Sequence, residues 1–340
     1  MGHTRGNREQ DGIVVETSEL TKVFDHQPAV DGLSFEVPRA SIFGLIGPSG
    51  CGKTTTVRLL TGVYRPTSGQ AWVLGEQPGR FRAETRARIG YMLQQTILYP
   101  DLTVWENLNF AGAIYGVGPL RGKRLKRVLD FVELGEHRRK AVRDLSGGMR
   151  RRLSLAATLA HDPDLLFLDE PTSGVDPVLR HKFWNHFRSL RDEGRTLLVT
   201  TQYVSEAAYC DLVAVMEQGR LLRIDSPEGL RRAAFGGDVV VLETADYLAP
   251  DQLHRLEQLP FVLEARPLDD VTLRLVVEEA STATPRLVEW AQQEGLDVRS
   301  VQERLPPFDD VFVELIEKEN RRRAADGASG HSEGEEADRA

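Results

Sequence analysis

Only two cysteines, Cys51 and Cys210, occur in 340 residues. That is too few for a disulfide framework and fits a reducing compartment. No run of about 18 apolar residues occurs either, so the sequence predicts no membrane-spanning helix. Met1 to Asp11 is polar and charged with no apolar centre, which excludes a secretory signal there. Basic residues are in deficit, 43 Lys and Arg against 51 Asp and Glu for a formal charge of −8. A phosphate backbone selects basic surfaces, so nucleic acid is not the expected main partner. The local runs Arg150-Arg151-Arg152 and Arg321-Arg322-Arg323 read as solvated faces. No internal repeat is visible. What remains is the balance of a soluble globular protein, 41% hydrophobic and 28% charged, with length for two domains.

The stretch Gly47-Pro48-Ser49-Gly50-Cys51-Gly52-Lys53-Thr54 fits the pattern G-x-x-x-x-G-K-[ST] and follows the apolar run Ser41 to Ile46. A polyphosphate crowds a tight turn, and glycines let backbone N–H groups face it without a Cβ in the way. Lys53 supplies a point charge near the terminal phosphates and Thr54 a hydroxyl for Mg²⁺. Thr54-Thr55-Thr56 opens a helix whose positive end faces the same anion. The pattern indicates a nucleotide without choosing among kinases, GTPases and other ATPases.

Residues 13–24 and 33–37 alternate apolar and polar positions and read as antiparallel strands. Further strands are expected at 70–75 and 89–92. From about 97 to 160 the spacing becomes helical, a helical insertion in an α/β core. The core resumes with continuous apolar strands at Leu165 to Glu170 and Thr196 to Thr201, the pattern of a parallel sheet covered on both faces. A hairpin over 212–224 follows, and the nucleotide domain is expected to end near Phe235-Gly236-Gly237. Beyond it the β-α-β-β-α-β order over 238–304, with a last helix at 308–319, predicts a small ferredoxin-like layer. Ala324 to Ala340 reads as a disordered tail.

Asp169 closes a buried strand, where a carboxylate can hold Mg²⁺ through water, and Glu170 follows at once. A carboxylate beside a triphosphate can orient and deprotonate attacking water, which makes Glu170 the expected general base. Leu145-Ser146-Gly147-Gly148-Met149, just before a helical run, makes a second anion-binding helix start. One nucleotide does not need two such distant cradles, so the second is expected to serve the nucleotide of another subunit.

With these motifs in place, residues 13 to about 230 resemble the ATP-binding cassette (ABC) ATPases of transporters. Gly47 to Thr54 resembles the Walker A motif and Gln94 the Q-loop glutamine. Leu145 to Met149 resembles the signature with Met149 in the usual Gln place, and Leu165 to Glu170 resembles Walker B. Ser173 to Asp176 resembles the D-loop, and Phe24 the aromatic that stacks on adenine. The resemblance implies an α/β P-loop fold: a RecA-like mixed sheet core with an antiparallel β subdomain and helical insertion over 13–235, plus a small α+β C-terminal domain over 238–320. Residues 1–12 and 321–340 flank these as a polar segment and a disordered tail. It implies ATP and Mg²⁺, with nucleotide contacts from Phe24, Gly47, Pro48, Ser49, Gly50, Cys51, Gly52, Lys53, Thr54, Thr55, Gln94, Ser146, Gly147, Gly148 and Asp176. Metal contacts would come from Thr54, Gln94 and Asp169, and catalysis from Glu170, Gln202 and Lys53.

The same resemblance implies a head-to-tail homodimer or paired ABC ATPase that closes on ATP. It also implies a separate membrane permease, docked at Gln94 and the loop after it, and a location on the cytoplasmic face of the membrane. Gln202 stands where the family usually has a histidine near the γ-phosphate; an amide donates a hydrogen bond but carries no proton at neutral pH. Thr200-Thr201-Gln202-Tyr203 and the Pro306 to Leu315 segment resemble the ABC-2 type exporter branch of daunorubicin/doxorubicin resistance ATPases. A soluble ABC ATPase acting on ribosomes or DNA, and a slow ATP sensor, stay open as alternatives. Cys51, near Lys53 and a helix N-terminus, is in a setting that lowers a thiol pKa. Alkylation there is expected to block nucleotide binding, with ATP protecting.

Overall fold

The computed structural model describes residues 12–95, 97–118 and 121–332, with side chains as far as Arg322. The chain divides into two compact units, Met1–Ile224 and Asp225–Ala340.

In the first unit, the alternating segments become strands β1 (Ile13–Phe24) and β2 (Gln27–Pro38), antiparallel with Val15 opposite Val37 and Thr17 opposite Phe35. Strand β3 (Ile42–Ile46) is buried along its whole length and feeds helix α1 (Lys53–Leu60) through the glycine-rich loop. Strand β4 (Ser68–Val73) pairs with the other edge of β1, giving the antiparallel order β2-β1-β4. Its apolar face closes on β3 and α1, where Val15, Leu20, Val37, Phe43, Val57 and Leu60 share one core.

Short helix α2 (Ala83–Ala87) leads to strand β5 (Ile89–Met92). The helical insertion then supplies α3 (Val104–Ile114), α4 (Gly122–Phe131) and α5 (Gly147–Leu159). Helix α3 starts at a capping box in which Thr103 and Glu106 satisfy each other's backbone N–H groups. The core sheet continues with β6 (Leu165–Asp169), α6 (Pro177–Asp192), β7 (Thr196–Thr201), β8 (Leu212–Glu217) and the hairpin strand β9 (Arg220–Asp225). Gln218 and Gly219, both at positive φ, form the two-residue turn between β8 and β9. The sheet order is β5-β6-β7-β3-β8-β9. β6 and β7 lack alternation because both faces are covered, and every residue of each is buried.

The second unit opens with α7 (Pro227–Phe235), followed by β10 (Asp238–Thr244), α8 (Pro250–Glu257), β11 (Val262–Pro267), β12 (Thr272–Val277), α9 (Ala280–Gln293), β13 (Val298–Glu303) and α10 (Phe308–Ser332). The antiparallel order β11-β12-β10-β13 has the topology of a ferredoxin-like layer. Val240, Leu242, Leu256, Leu275, Leu287 and Ala291 form its core.

Two sequence expectations are corrected here. The boundary placed near residue 235 falls at 224/225, because α7 is tied to α10 and the segment before it. Arg231 donates to the Pro306 carbonyl at 3.2 Å and lies 4.1 Å over the Phe308 ring, and Lys318 Nζ donates to the Ala233 carbonyl at 3.0 Å. Gly236 in the left-handed region caps α7; it marks a helix end and not a domain end. The tail read as disordered from 321 is helical through Ser332, since its Arg and Ala residues are strong helix formers. Residues 1–11 and 333–340 of the expected flanking segments lie outside the described residues.

Leu275, fully buried at the centre of the second unit's sheet, supplies a test of that core. Leu275→Ala is expected to lower unfolding free energy by about 2–5 kcal/mol. Urea denaturation followed by far-UV circular dichroism checks this.

Candidate functional site

The parallel strands place the site. β5, β6, β7 and β3 lie side by side and point the same way. Their carboxyl ends therefore gather Gln94, Asp169 and Glu170, Gln202, and the glycine-rich loop. This edge of an open parallel sheet is where ligands bind in α/β folds.

The loop is built for an anion. A Cβ on Gly47 would lie 2.1 Å from the Met216 carbonyl oxygen, so only glycine passes there. Gly52 sits at φ +106° and starts α1 without any side-chain cap, which leaves the first N–H groups of the helix for an outside acceptor. The Gly219 N–H donates to the Cys51 carbonyl at 3.0 Å and anchors the loop to the β8–β9 turn. Lys53 Nζ is buried and donates to the carbonyls of Gly47 at 2.7 Å and Pro48 at 2.9 Å, 4.0 Å from Glu170 Oε1.

Asp169 and Glu170 face this cradle from the end of β6. Asp169 Oδ1 accepts from the hydroxyls of Thr54 at 3.1 Å and Thr200 at 2.6 Å. Its Oδ2 is buried with no hydrogen-bond partner. An unpartnered buried carboxylate oxygen beside a hydroxyl is the donor chemistry of a hard cation such as Mg²⁺, so the residues present fit that ion. Among the described residues no cluster of three or more His, Cys, Asp or Glu side chains forms. Glu170 Oε2 accepts from Gln94 Nε2 at 3.0 Å. The Glu170 backbone has φ +46°, a strained conformation of the kind that functional sites retain. Beside them, burial first and the Asp169 charge second push the Tyr91 hydroxyl up to about 12, so it stays neutral at physiological pH.

Ser146 caps α5, its hydroxyl accepting from the Met149 N–H at 3.2 Å. A Cβ on Gly147 would meet nothing within 4 Å, so this helix start opens outward. Among the described residues, no hydrogen bond or ion pair joins Ser146, Gly147 or Gly148 to the glycine-rich loop.

The sequence pattern of the ABC transporter family matches residues 30–173. The chain is 39% identical over 310 residues to the Nod factor export ATP-binding protein I of Cupriavidus metallidurans, covering 91% of this chain and 99% of that one. The chain belongs to the ABC transporter ATP-binding family. It is 42% identical over 219 residues to the probable multidrug ABC transporter ATP-binding protein YbhF of Escherichia coli, a match that takes in 64% of this chain and 38% of YbhF. Among solved structures, an ATP-binding subunit of an ABC transporter superposes with a TM-score of 0.60 at 25% identity, over 65% of this chain and 92% of that one. As a member of this family the chain is an ATP-binding ATPase. No helix among the described residues is long and apolar enough to cross a membrane.

Within this ABC site the structure brings together Lys53, Thr54, Gln94, Asp169 and Glu170 by direct contacts. Pro48, Ser49 and Gly50 form the exposed lip of the loop, and Thr55 is half-buried behind it. Gln202 is exposed beyond β7. Phe24 ends β1 40% exposed, edge-on to Tyr64 at 5.4 Å between centroids and 5.0 Å below the Lys22 ammonium. Asp176 caps α6, its Oδ1 accepting from the Leu179 N–H at 2.9 Å.

Sequence reasoning missed Arg151, which it took for part of a solvated basic face. Arg151 is buried, and its guanidinium donates to the carbonyls of Leu93, Gln94, Asp169, Glu170 and Pro171. Its place on the inward side of α5, between Arg150 and Arg152, is the only sequence signal for this.

Cys51 is also corrected. The thiol is buried, and burial pushes its pKa up despite the opposing Lys53 charge. Because the shift is upward, the thiol stays neutral below the ordinary thiol range instead of becoming a thiolate near pH 7. Iodoacetamide at pH 8 is therefore expected to leave Cys51 and the buried Cys210 unmodified in the folded protein and to modify both after denaturation. Mass spectrometry of the peptides reads this out, and rapid ATP-protected labelling of native Cys51 would contradict it.

Proposed function

We propose that this chain is the ATP-hydrolysing subunit of an ABC-2 type exporter, working as a head-to-tail pair beneath a separate membrane permease. The observation that carries the pairing is the division of anion-binding elements. The phosphate cradle and the outward-facing Ser146 to Gly148 helix start lie on one chain without touching. In a head-to-tail pair, each start meets the nucleotide on the partner's cradle. ATP then contacts both chains only in the closed state, and its differential affinity drives closure.

Within one such site, the loop N–H groups and Lys53 hold the β- and γ-phosphates. Thr54 and Asp169 would hold Mg²⁺, with Gln94 near it, and the ion would supply neutralisation of phosphate charge. Glu170 accepts the proton of the attacking water as its oxygen bonds to the γ-phosphorus and the bond to the β–γ bridging oxygen breaks, leaving ADP and phosphate. Gln94, bonded to Glu170, fixes the direction of that carboxylate, and Gln202 donates to the γ-phosphate.

The helical insertion supports a permease partner. Ile97, Tyr99, Phe110, Ile114 and Tyr115 are exposed on α3 and its flanking loops, and Tyr99 packs edge-on against Phe110 at 4.8 Å. Exposed apolar groups gathered on one element mark a protein contact. The chain would then lie on the cytoplasmic face of the membrane. The relatives named for multidrug transport and for Nod factor export bring drugs into the range of cargo.

Glu170→Gln is expected to lower ATPase activity by about 10²–10⁴-fold, as removal of a general base does, and to yield an ATP-bound dimer on size-exclusion chromatography. A monomer with ATP, or unchanged turnover, would count against the mechanism. Gln202→Ala is expected to lower kcat by less than about tenfold, the loss of one neutral hydrogen bond. A steady-state phosphate-release assay reads both variants.

A further inference from the structure

In the proposed pairing the signature helix acts on the partner's nucleotide through its N-terminus, while Glu170 acts on the chain's own. One turn into that helix, Arg151 reaches back across the domain. Nε donates to the Pro171 carbonyl at 2.8 Å, and Nη1 to Leu93 at 3.1 Å and Gln94 at 2.7 Å. Nη2 donates to Asp169 at 3.1 Å and also to Glu170. A guanidinium has five N–H donors in a fixed plane. Here each meets a main-chain carbonyl, two from the segment after β5 and three from the end of β6 and the residues just after it.

We infer that Arg151 is the positioning residue that locks the Q-loop and the Walker B end to the signature helix, so that Gln94 and Glu170 move with that helix as one unit. The rigid fork satisfies both segments only while they keep one separation and one orientation. It also completes the restraint on Glu170, whose N–H donates to the hydroxyl and carbonyl of Thr200 while its carbonyl accepts from Arg151. A residue at φ +46° persists when its surroundings hold both of its backbone groups in this way. Lysine cannot replace the fork, since its ammonium is a point donor on a flexible stem. Engagement of the partner's nucleotide by α5 is thereby coupled to placement of the base in the chain's own site. The coupling to catalysis rests on the reading of Glu170 as the base; the coupling of the two segments does not.

Arg151→Met and Arg151→Lys in the full-length protein test the inference, with Thr158→Ala as a control. Thr158 lies on the same helix and bonds only within it, its hydroxyl donating to the Ser154 carbonyl at 3.0 Å. Hydrogen exchange of nucleotide-free protein over residues 92–95 and 168–173 is the first readout. In Arg151→Met both segments should exchange roughly tenfold faster or more. Arg151→Lys should restore part of the protection, and the control none of the effect. In turnover, kcat should fall about a hundredfold, as misplaced catalytic groups produce. The Kd of a fluorescent ATP analogue should hold within about threefold, the split of a group that acts on placement and not on binding. Loosening of only one segment, or of neither, or equal loosening in Thr158→Ala, would overturn the inference. Absence of hydrolysis in the unmodified protein would instead overturn the assignment of Glu170, with the exchange result still deciding the coupling. Should Arg151→Met fail to fold, Arg151→Lys against the control decides by the same criteria.

Discussion

The carboxylate of Asp169 is the interaction on which the site depends. Its Oδ1 takes the hydroxyls of Thr54 and Thr200 together, so one atom ties the start of α1 to the ends of β6 and β7. The same β7 residue, Thr200, receives the Glu170 N–H. A shift of any one strand end would open a bond at a position 1% exposed, where water cannot replace it. With Oδ1 saturated, Oδ2 is the oxygen left for a cation, so the proposed metal site and strand registration would share one side chain.

Under the proposed pairing, one chain is half of a machine. Anion-binding power is concentrated at two helix starts, α1 and α5, that face different directions. The α1 start is backed by a buried lysine and two carboxylates. The α5 start, Ser146 to Gly148, offers backbone donors and an open surface with no charge of its own, which suits it to completing another cradle. Arg151 lies where these two roles meet, on the helix of one and against the carbonyls of the other.

Much of this was legible in the sequence because its causes are local. The glycine-rich loop announces itself by spacing, and β6 and β7 by apolar runs that only a doubly covered sheet tolerates. The β-α-β-β-α-β order of the second unit follows from period changes along the chain. Arg151 was hidden because its partners are backbone carbonyls, which carry no side-chain identity, and because it sits between two further arginines that are only half-buried. Cys51 misled for a related reason. Proximity to Lys53 is visible in sequence, whereas the burial that outweighs that charge comes from a core shared with residues distant in the chain, Met216 among them. The α7 boundary failed because a glycine helix cap looks the same as a linker until α10 is seen packing on α7.

The central claim is that an ATP site is completed by the signature helix of a second copy. Cysteine pairing between copies tests it most directly, since the native thiols are buried. An equal mixture of Ser49→Cys and Gly147→Cys proteins, each also carrying Glu170→Gln, would be oxidised mildly with and without ATP. The account predicts a disulfide-linked dimer that forms in the mixture, requires ATP, and is absent from either variant alone. No cross-link with ATP, or one that forms equally without nucleotide, would contradict it.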